Sequence, residues 1–384
     1  MRLEFDDGTL LLHDAPEAIP VAEWDDRVGE YRAQAYRYRS ILEWAGQWSE
    51  TDGQATLQDG YSHDVEDAAR NYPDVALTPA LQIEPRDYQQ AALQAWRTHN
   101  RQGSVILPTG SGKTFLGLQV IADAGVSTLV VTPTIDLMNQ WHATLTNAFG
   151  DQLSEKVGVL GGGSHEIAAL TVTTYDSAYR YIDEYGDRFG LLITDETHHL
   201  AAETYLQIPE MTIAPYRLGL TATYERADGR QELLEDRMGP VVYEEAVDDL
   251  AGEFLSEYET IQMSVELTSE ERAEYDDEYQ LYRDYVDSHD FDLWKEQGYA
   301  EFLKRTSYDP QGRRALIAKQ RAERIARTAS KKLDTLDNLL KRHHDDRVIV
   351  FTANNDFAYD ISREFILPCI THQTDTDERT EILD

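Results

Sequence analysis

Between about residues 83 and 224 the chain alternates strand-length apolar runs with stretches of helical spacing. The runs are SVIL, TLVVT, LTVTTY, GLLIT and YRLGL, each followed by a helix-like segment or a polar turn. Unbroken apolar runs of this length, separated by helical patterns, predict an α/β fold with a parallel sheet covered by helices on both faces. Such sheets place their ligands beyond the carboxyl ends of the strands, so chemistry is expected at those ends. Residues 1–78 read differently. They are short strand-like and helical pieces broken by DDG, TDG and QDG and closed by NYPDVALTP, which predicts a small separate α+β domain.

Beyond a domain spanning 79–245, residues 246–384 begin with an acidic connector and a strand candidate from Tyr258 to Leu267. Thr268 and Glu271 form a capping box that opens a helix carrying Tyr275, Tyr279, Tyr282 and Val286 at 4, 3 and 4 residue spacing. A tyrosine stripe at helical spacing is expected as a packed face in preference to a base-stacking platform. From Asp346 the pattern returns to strand RVIVFT, helix NDFAYDISREFI, strand PCITH and helix DERTEIL. One such unit does not close a second sheet by itself. No internal repeat or low-complexity segment is present.

With 384 residues and 41% hydrophobic positions the chain can bury proper cores. No run of about 18 apolar residues is present, so no membrane partner is expected and a cytoplasmic location is. The single cysteine, Cys369, can form no internal disulfide and is expected to be a small core residue. Charge changes the picture more. There are 35 basic and 71 acidic residues, a net charge of −36, and the basic residues are 27 Arg and only 8 Lys. In ordinary salt that balance repels a polyanion. At about 1 M salt the Debye length is roughly 3 Å, so only close contacts count. The charge is therefore read as adaptation to a salt-rich cytoplasm, against a rival reading of a basic partner.

Candidate chemistry falls at the predicted strand ends. Leu107, Pro108, Thr109, Gly110, Ser111, Gly112, Lys113 and Thr114 spell LPTGSGKT between strand SVIL and a helix, the context of a phosphate-binding loop. Gly110 and Gly112 would let backbone N–H groups approach the phosphates of ATP, Lys113 would reach the β and γ oxygens, and Thr114 would ligand Mg²⁺. Leu107 stands where the strict pattern has its first glycine. The strand GLLIT ends in Asp195, Glu196, Thr197 and His198. Asp195 would hold Mg²⁺ through water, and Glu196 would orient and deprotonate the attacking water, with Lys113 its catalytic companion. GLTAT places Thr221 and Thr223 at the next strand end, where with His198 they would couple the site to a moving domain. In PRDYQQ, Gln89 would read the adenine edge and Arg86 would stack on or hydrogen-bond to the base.

In this order PRDYQ, LPTGSGKT, TPTIDLMNQW, TTYDSAY, DETHHL and GLTAT resemble the first motor domain of superfamily 2 helicases. The narrower resemblance is to the XPB-type DNA repair helicases of archaea, on DETHHL, on YRLGLTATYERAD (216–228) and on VIVFTANNDFAYDISREFILPCITHQT (348–374). It implies a damage-recognition-like N-terminal domain, a RecA-like motor domain, a helical thumb within 268–310 and part of a second RecA-like domain. It also implies ATP-dependent 3′ to 5′ unwinding or translocation on DNA in repair, with a repair nuclease as a partner.

Three departures qualify it. The family's Arg-Glu-Asp element reads Arg226, Ala227, Asp228, so one carboxylate of an unwinding wedge is missing, leaving Arg226 and Asp228 as DNA candidates. The first 80 residues hold 6 basic and 17 acidic side chains, which weakens a DNA grip there. No QxxGRxxR pattern follows residue 240, and such arginines are worth roughly 10³ to 10⁵ in rate in related NTPases. A chain truncated within the second RecA-like domain, with slow hydrolysis, no unwinding alone and the remaining motor motifs supplied from elsewhere, is the expectation.

DNA contacts are sought in two places. Residues 311–344 hold ten basic and three acidic side chains, led by Arg313, Arg314, Arg321, Arg324, Lys331 and Lys332. Thr134 and Thr174 stand at strand ends, where a hydroxyl and a helix N-terminus would bind phosphate. The rival functions are an RNA-directed or restriction-type motor of the same superfamily, and a non-motor, ATP-responsive nucleic-acid-binding module.

Overall fold

The chain opens with a hairpin, β1 (Arg2–Asp6) and β2 (Thr9–His13), closed by the DDG turn. The strands β3 (Glu23–Asp25) and β4 (Glu30–Gln34) follow, then helix α1 (Tyr38–Trp44), a small pair β5 (Glu50–Thr51) and β6 (Gln54–Ala55), and β7 (Glu66–Asp67). The first sheet has the order β3-β4-β2-β1-β7. This computed structural model describes residues 1–16, 19, 21–46, 50–51, 54–55, 65–80, 84–202, 204–223, 231–246, 260–289, 291, 296–371, 373–374 and 376–383. Contacts divide the chain into Met1–Tyr258 and Glu259–Asp384.

The second sheet is built from β8 (Gln102–Ile106), β9 (Thr128–Thr132), β10 (Gly158–Gly161), β11 (Ser164–His165), β12 (Leu170–Thr174), β13 (Leu191–Asp195), β14 (Tyr216–Thr221) and β15 (Val241–Glu244). Its order is β11-β10-β12-β9-β13-β14-β8-β15, and every pair except β10 with β11 is parallel. The interleaved helices are α2 (Asp87–Thr98), α3 (Lys113–Ala124), α4 (Ile135–Phe149), α5 (Tyr175–Tyr185), α6 (Gln207–Glu210) and α7 (Gln231–Met238). Alternation along each strand feeds two cores. Val130 and Ile193 join a cluster with Trp96, Leu116 and Trp141, while Leu129, Val131 and Leu192 join another with Tyr175, Ile182 and Leu234. Each such side chain contributes roughly 1.5–3 kcal/mol on burial.

Residues 1–78, read as a separate domain, share the first of these cores: Leu3, Leu10, Leu12 and Tyr38 lie in the same apolar cluster as Trp96 and Leu116. The connecting segment is tied to the α3–β9 connection by Ser127 N to Pro73 O (3.0 Å) and Val75 N to Gly125 O (2.7 Å), and to helix α4 by Ala80 N to Ala148 O (2.8 Å).

From Glu259 on, the described elements are helices: Ser269–Ser288, Glu296–Thr306, Pro310–Arg327, Ser330–Arg342, Asn355–Phe365 and Thr376–Leu383. The capping box forms, with Glu271 N donating to Thr268 Oγ1 (3.2 Å) and Thr268 N to Glu271 Oε2 (2.8 Å). Tyr282 and Tyr285 pack with Phe302 and Ala315, whereas Tyr279 is 40% exposed and stacks on Tyr275. The expected Val286 is half-buried against the same cluster, and Tyr285 beside it is buried within it. Three expected strands do not form. Residues 260–267, 347–352 and 368–371 carry no ladder among the described residues, and Tyr258, Glu259 and His372 of the expected runs lie outside them. Cys369, expected in a core, is half-buried.

Candidate active site

Strand β8 delivers the chain to the loop 107–112, and α3 leaves from Lys113. Gly110 and Gly112 take φ of 82° and 86°, a region that other L residues rarely adopt. A side chain at 112 would also meet Gln89, its Cβ lying 2.7 Å from Nε2. The loop is braced from inside by Ser111, whose Oγ donates to Pro108 O at 2.7 Å. It is braced from α2 as well: Tyr88 Oη and Gln89 Nε2 both donate to Ser111 O, at 2.5 and 3.0 Å. Gln89 Oε1 accepts from Arg86 N (3.0 Å) and Arg86 Nη1 donates to Tyr88 Oη (2.9 Å). The residues read as adenine contacts thus spend polar groups on holding the loop. Lys113 Nζ donates to Leu107 O at 3.2 Å.

The strand tip at β13 stands opposite. Lys113 Nζ lies 3.9 Å from Glu196 Oε1. Glu196 sits in the left-handed region at φ 50°, which costs a non-glycine residue on the order of 1–3 kcal/mol and is common where function fixes the backbone. Asp195 is buried, accepts from Trp141 Nε1 through Oδ2 (2.8 Å) and from Glu196 N through Oδ1 (3.1 Å). Burial pushes its carboxyl up, and the Trp141 N–H opposes that shift. Tyr175 donates to Asp195 O at 3.0 Å.

His198 joins this tip to the next strand. Its Nδ1 lies 3.5 Å from Glu196 Oε2 and 3.1 Å from Thr221 Oγ1. Thr221 has one hydroxyl proton and gives it to Thr223 O (2.7 Å), while Thr223 N donates to Thr221 Oγ1 (3.2 Å). Thr221 Oγ1 thus stands between the His198 ring and the backbone of Thr223.

This geometry suits a nucleoside triphosphate with a divalent cation. A helix N-terminus on left-handed glycines presents N–H groups to anionic oxygens, and an ammonium stands beside them. Mg²⁺ keeps several waters and takes one or two carboxylates plus phosphate oxygens, and the hard oxygens of Asp195 and Thr114 fit that role.

The sequence comparison agrees with the geometry. The chain is 36% identical over 376 residues to the DNA 3'-5' translocase XPB2 of Sulfurisphaera tokodaii, covering 97% of this chain and 80% of that protein. This chain belongs to the XPB family. Other XPB-type relatives are covered less fully. The DNA 3'-5' helicase XPB of Mycobacterium tuberculosis is 27% identical over 308 residues, 78% of this chain and 48% of that protein. A putative DNA 3'-5' helicase Rad25 of Haloarcula marismortui is 31% identical over 176 residues, 44% of this chain and 27% of that one. Family models for the xeroderma pigmentosum group B helicase damage recognition domain and for the type III restriction enzyme res subunit match residues 3–47 and 82–226.

Within this XPB-family chain, the remaining candidate residues are spread more widely. Thr134 caps α4 by accepting from Leu137 N (3.2 Å), and Thr174 caps α5 by accepting from Ser177 N (3.3 Å), at the ends of neighbouring strands β9 and β12. Arg226 and Asp228 lie outside the described residues. On the helix Pro310–Arg327, Arg321 pairs with Glu278 (3.0 Å), and Arg313 and Arg314 line a groove with Glu274, Asp277 and Glu278, so facing acids offset part of the basic excess. Lys332 Nζ donates to Arg327 O at 3.2 Å. No helix of the described residues is long and apolar enough to cross a membrane.

Sequence reasoning passed over Trp141 and Tyr175, though both lie in segments it singled out. The available signal was a large polar-tipped aromatic at a buried position, whose N–H or O–H needs a partner.

Proposed function

We propose that this chain is the ATP-binding and ATP-hydrolysing part of a DNA 3′ to 5′ helicase or translocase acting in DNA repair. The observation that carries the reading is the approach of Lys113 to Glu196, with Asp195 beside it, across the mouth of the glycine loop. In this reading the N–H groups around Gly110 and Gly112 cradle the phosphates, and Lys113 draws charge from the β and γ oxygens. Glu196 orients the attacking water and accepts its proton. Thr114 and Asp195 would hold Mg²⁺, which would supply charge neutralisation at the phosphate oxygens when bound. His198, Thr221 and Thr223 report the state of Glu196 to the end of β14. Thr134 and Thr174 face the DNA backbone, and the basic helix residues Arg313, Arg314, Arg324 and Lys331 add to the grip. DNA is the partner, with a repair nuclease as the second partner to test. The acidic surface supports a haloarchaeal origin and activity in high salt.

Thermal stability with and without MgATP tests the nucleotide site. At 100 times the dissociation constant, bound nucleotide adds roughly 2.7 kcal/mol. Lys113→Ala should abolish that gain, and Glu196→Gln should keep it and lose turnover. A gain that survives Lys113→Ala would sink the reading. The match of residues 82–226 to the restriction-enzyme family favours one alternative, a restriction-type motor. Comparing ATPase stimulation by single-stranded DNA, duplex DNA and RNA separates the two.

A further inference from the structure

Asp195 is held by an aromatic residue that the nucleotide reading leaves without a role. Trp141 is 1% exposed, and its Nε1 donates to Asp195 Oδ2 at 2.8 Å. The contact depends on a clearance in α3. A Cβ at Gly117 would come within 2.5 Å of Trp141 Cη2, so only glycine lets the indole reach the strand tip from α4. With Glu196 N on Oδ1 at 3.1 Å, each carboxylate oxygen accepts one fixed N–H and keeps a further lone pair.

We propose that Trp141 is a positioning residue for the divalent cation: its indole N–H holds Asp195 in the rotamer that presents its free lone pairs to the water shell of the metal, and Gly117 is the space that makes this possible. The proposal rests on the reading that a triphosphate binds at the loop 107–114. Partners that orient metal-ligating groups carry roughly 10–100-fold in metal affinity. A residue that only fills space carries no such metal-specific effect, because a phenyl ring occupies much of the same volume.

Isothermal titration of the full chain with adenylyl imidodiphosphate across a Mn²⁺ series separates the two. In Trp141→Phe the half-saturating Mn²⁺ concentration should rise about tenfold, while affinity for the metal-free nucleotide stays at the wild-type value. Gly117→Ala, which keeps the N–H but displaces the ring, should give the same rise, and carries the test if Trp141→Phe loses its cooperative melt. An unchanged Mn²⁺ dependence in the folded variants overturns the proposal. So does an equal loss of affinity with and without metal, the behaviour of a packing residue. If wild type and Lys113→Ala bind the nucleotide equally poorly, the nucleotide reading itself fails and takes the proposal with it.

Discussion

The segments TLVVT in β9 and RVIVFT at 347–352 have the same sequence character and different outcomes. Both are apolar and rich in β-branched residues, and both lead into a helix whose cap forms: Thr134 accepts from Leu137 N, and Asn354 from Phe357 N at 2.8 Å. In β9 all five residues are buried, with β12 on one side and β13 on the other. At 347–352 no ladder is described, Ile349 is 69% exposed and Phe351 90%. Helix and cap are local consequences of sequence, satisfied within a few residues. A strand is a claim on neighbours, and apolar composition states the claim without meeting it.

The sharpest test places a charge in each segment. Val131→Asp buries an unpaired carboxylate in the sheet and should cost more than about 4 kcal/mol, enough to unfold the first unit. Ile349→Asp should stay within about 0.5 kcal/mol. Urea unfolding followed by tryptophan fluorescence measures both. If Ile349→Asp proves as costly as Val131→Asp, the segment is packed and the contrast disappears.

The loop 107–112 combines both kinds of signal, because its glycines are a local requirement and its bracing by Gln89 is not. Gly112→Ala adds left-handed strain of about 1–2 kcal/mol and a clash with Gln89 Nε2. It should lower stability by about that much and remove nucleotide stabilisation. A variant that binds nucleotide normally would show that the observed backbone of the loop is not required.

The same division explains what could be read in advance. The strand runs between residues 83 and 224, the glycine loop, the acidic tip and the capping box at Thr268 were legible because each is a short contiguous pattern with its own physical reason, whereas the runs after residue 258 were over-read as strands. The directions taken by side chains over distance were not. Gln89 turns to carbonyls 22 and 23 residues away, and Trp141 reaches a carboxylate 54 residues away. The core shared by the first 78 residues and the second sheet was hidden for the same reason: turn signals mark where elements end, not what their apolar faces meet. Tyr285 was missed because a stripe at 4, 3 and 4 spacing names one residue per turn, whereas the cluster around Phe302 takes in both Tyr285 and its neighbour Val286.

Glu271 gives the smallest and most selective test, since one carboxylate serves a local partner and a distant one. It accepts from Thr268 N at 2.8 Å, closing the capping box, and from Ser330 N, 59 residues on, also at 2.8 Å. These backbone N–H groups, Ser330 first and then Thr268, hold its carboxyl down at about 2, against an ordinary value of 4.5. A depressed folded value means that the ionised carboxylate stabilises the fold above the unfolded value, and that this contribution is lost as pH falls from about 4.5 to about 2. Glu271→Gln removes the ionisable group, so the gap in Tm between wild type and variant should be full at pH 6 and close through that window. Melts followed by circular dichroism at 222 nm, where the helices of the second unit contribute, would measure it. A gap independent of pH would mean that the side chain acts by shape, and that neither hydrogen bond depends on its charge.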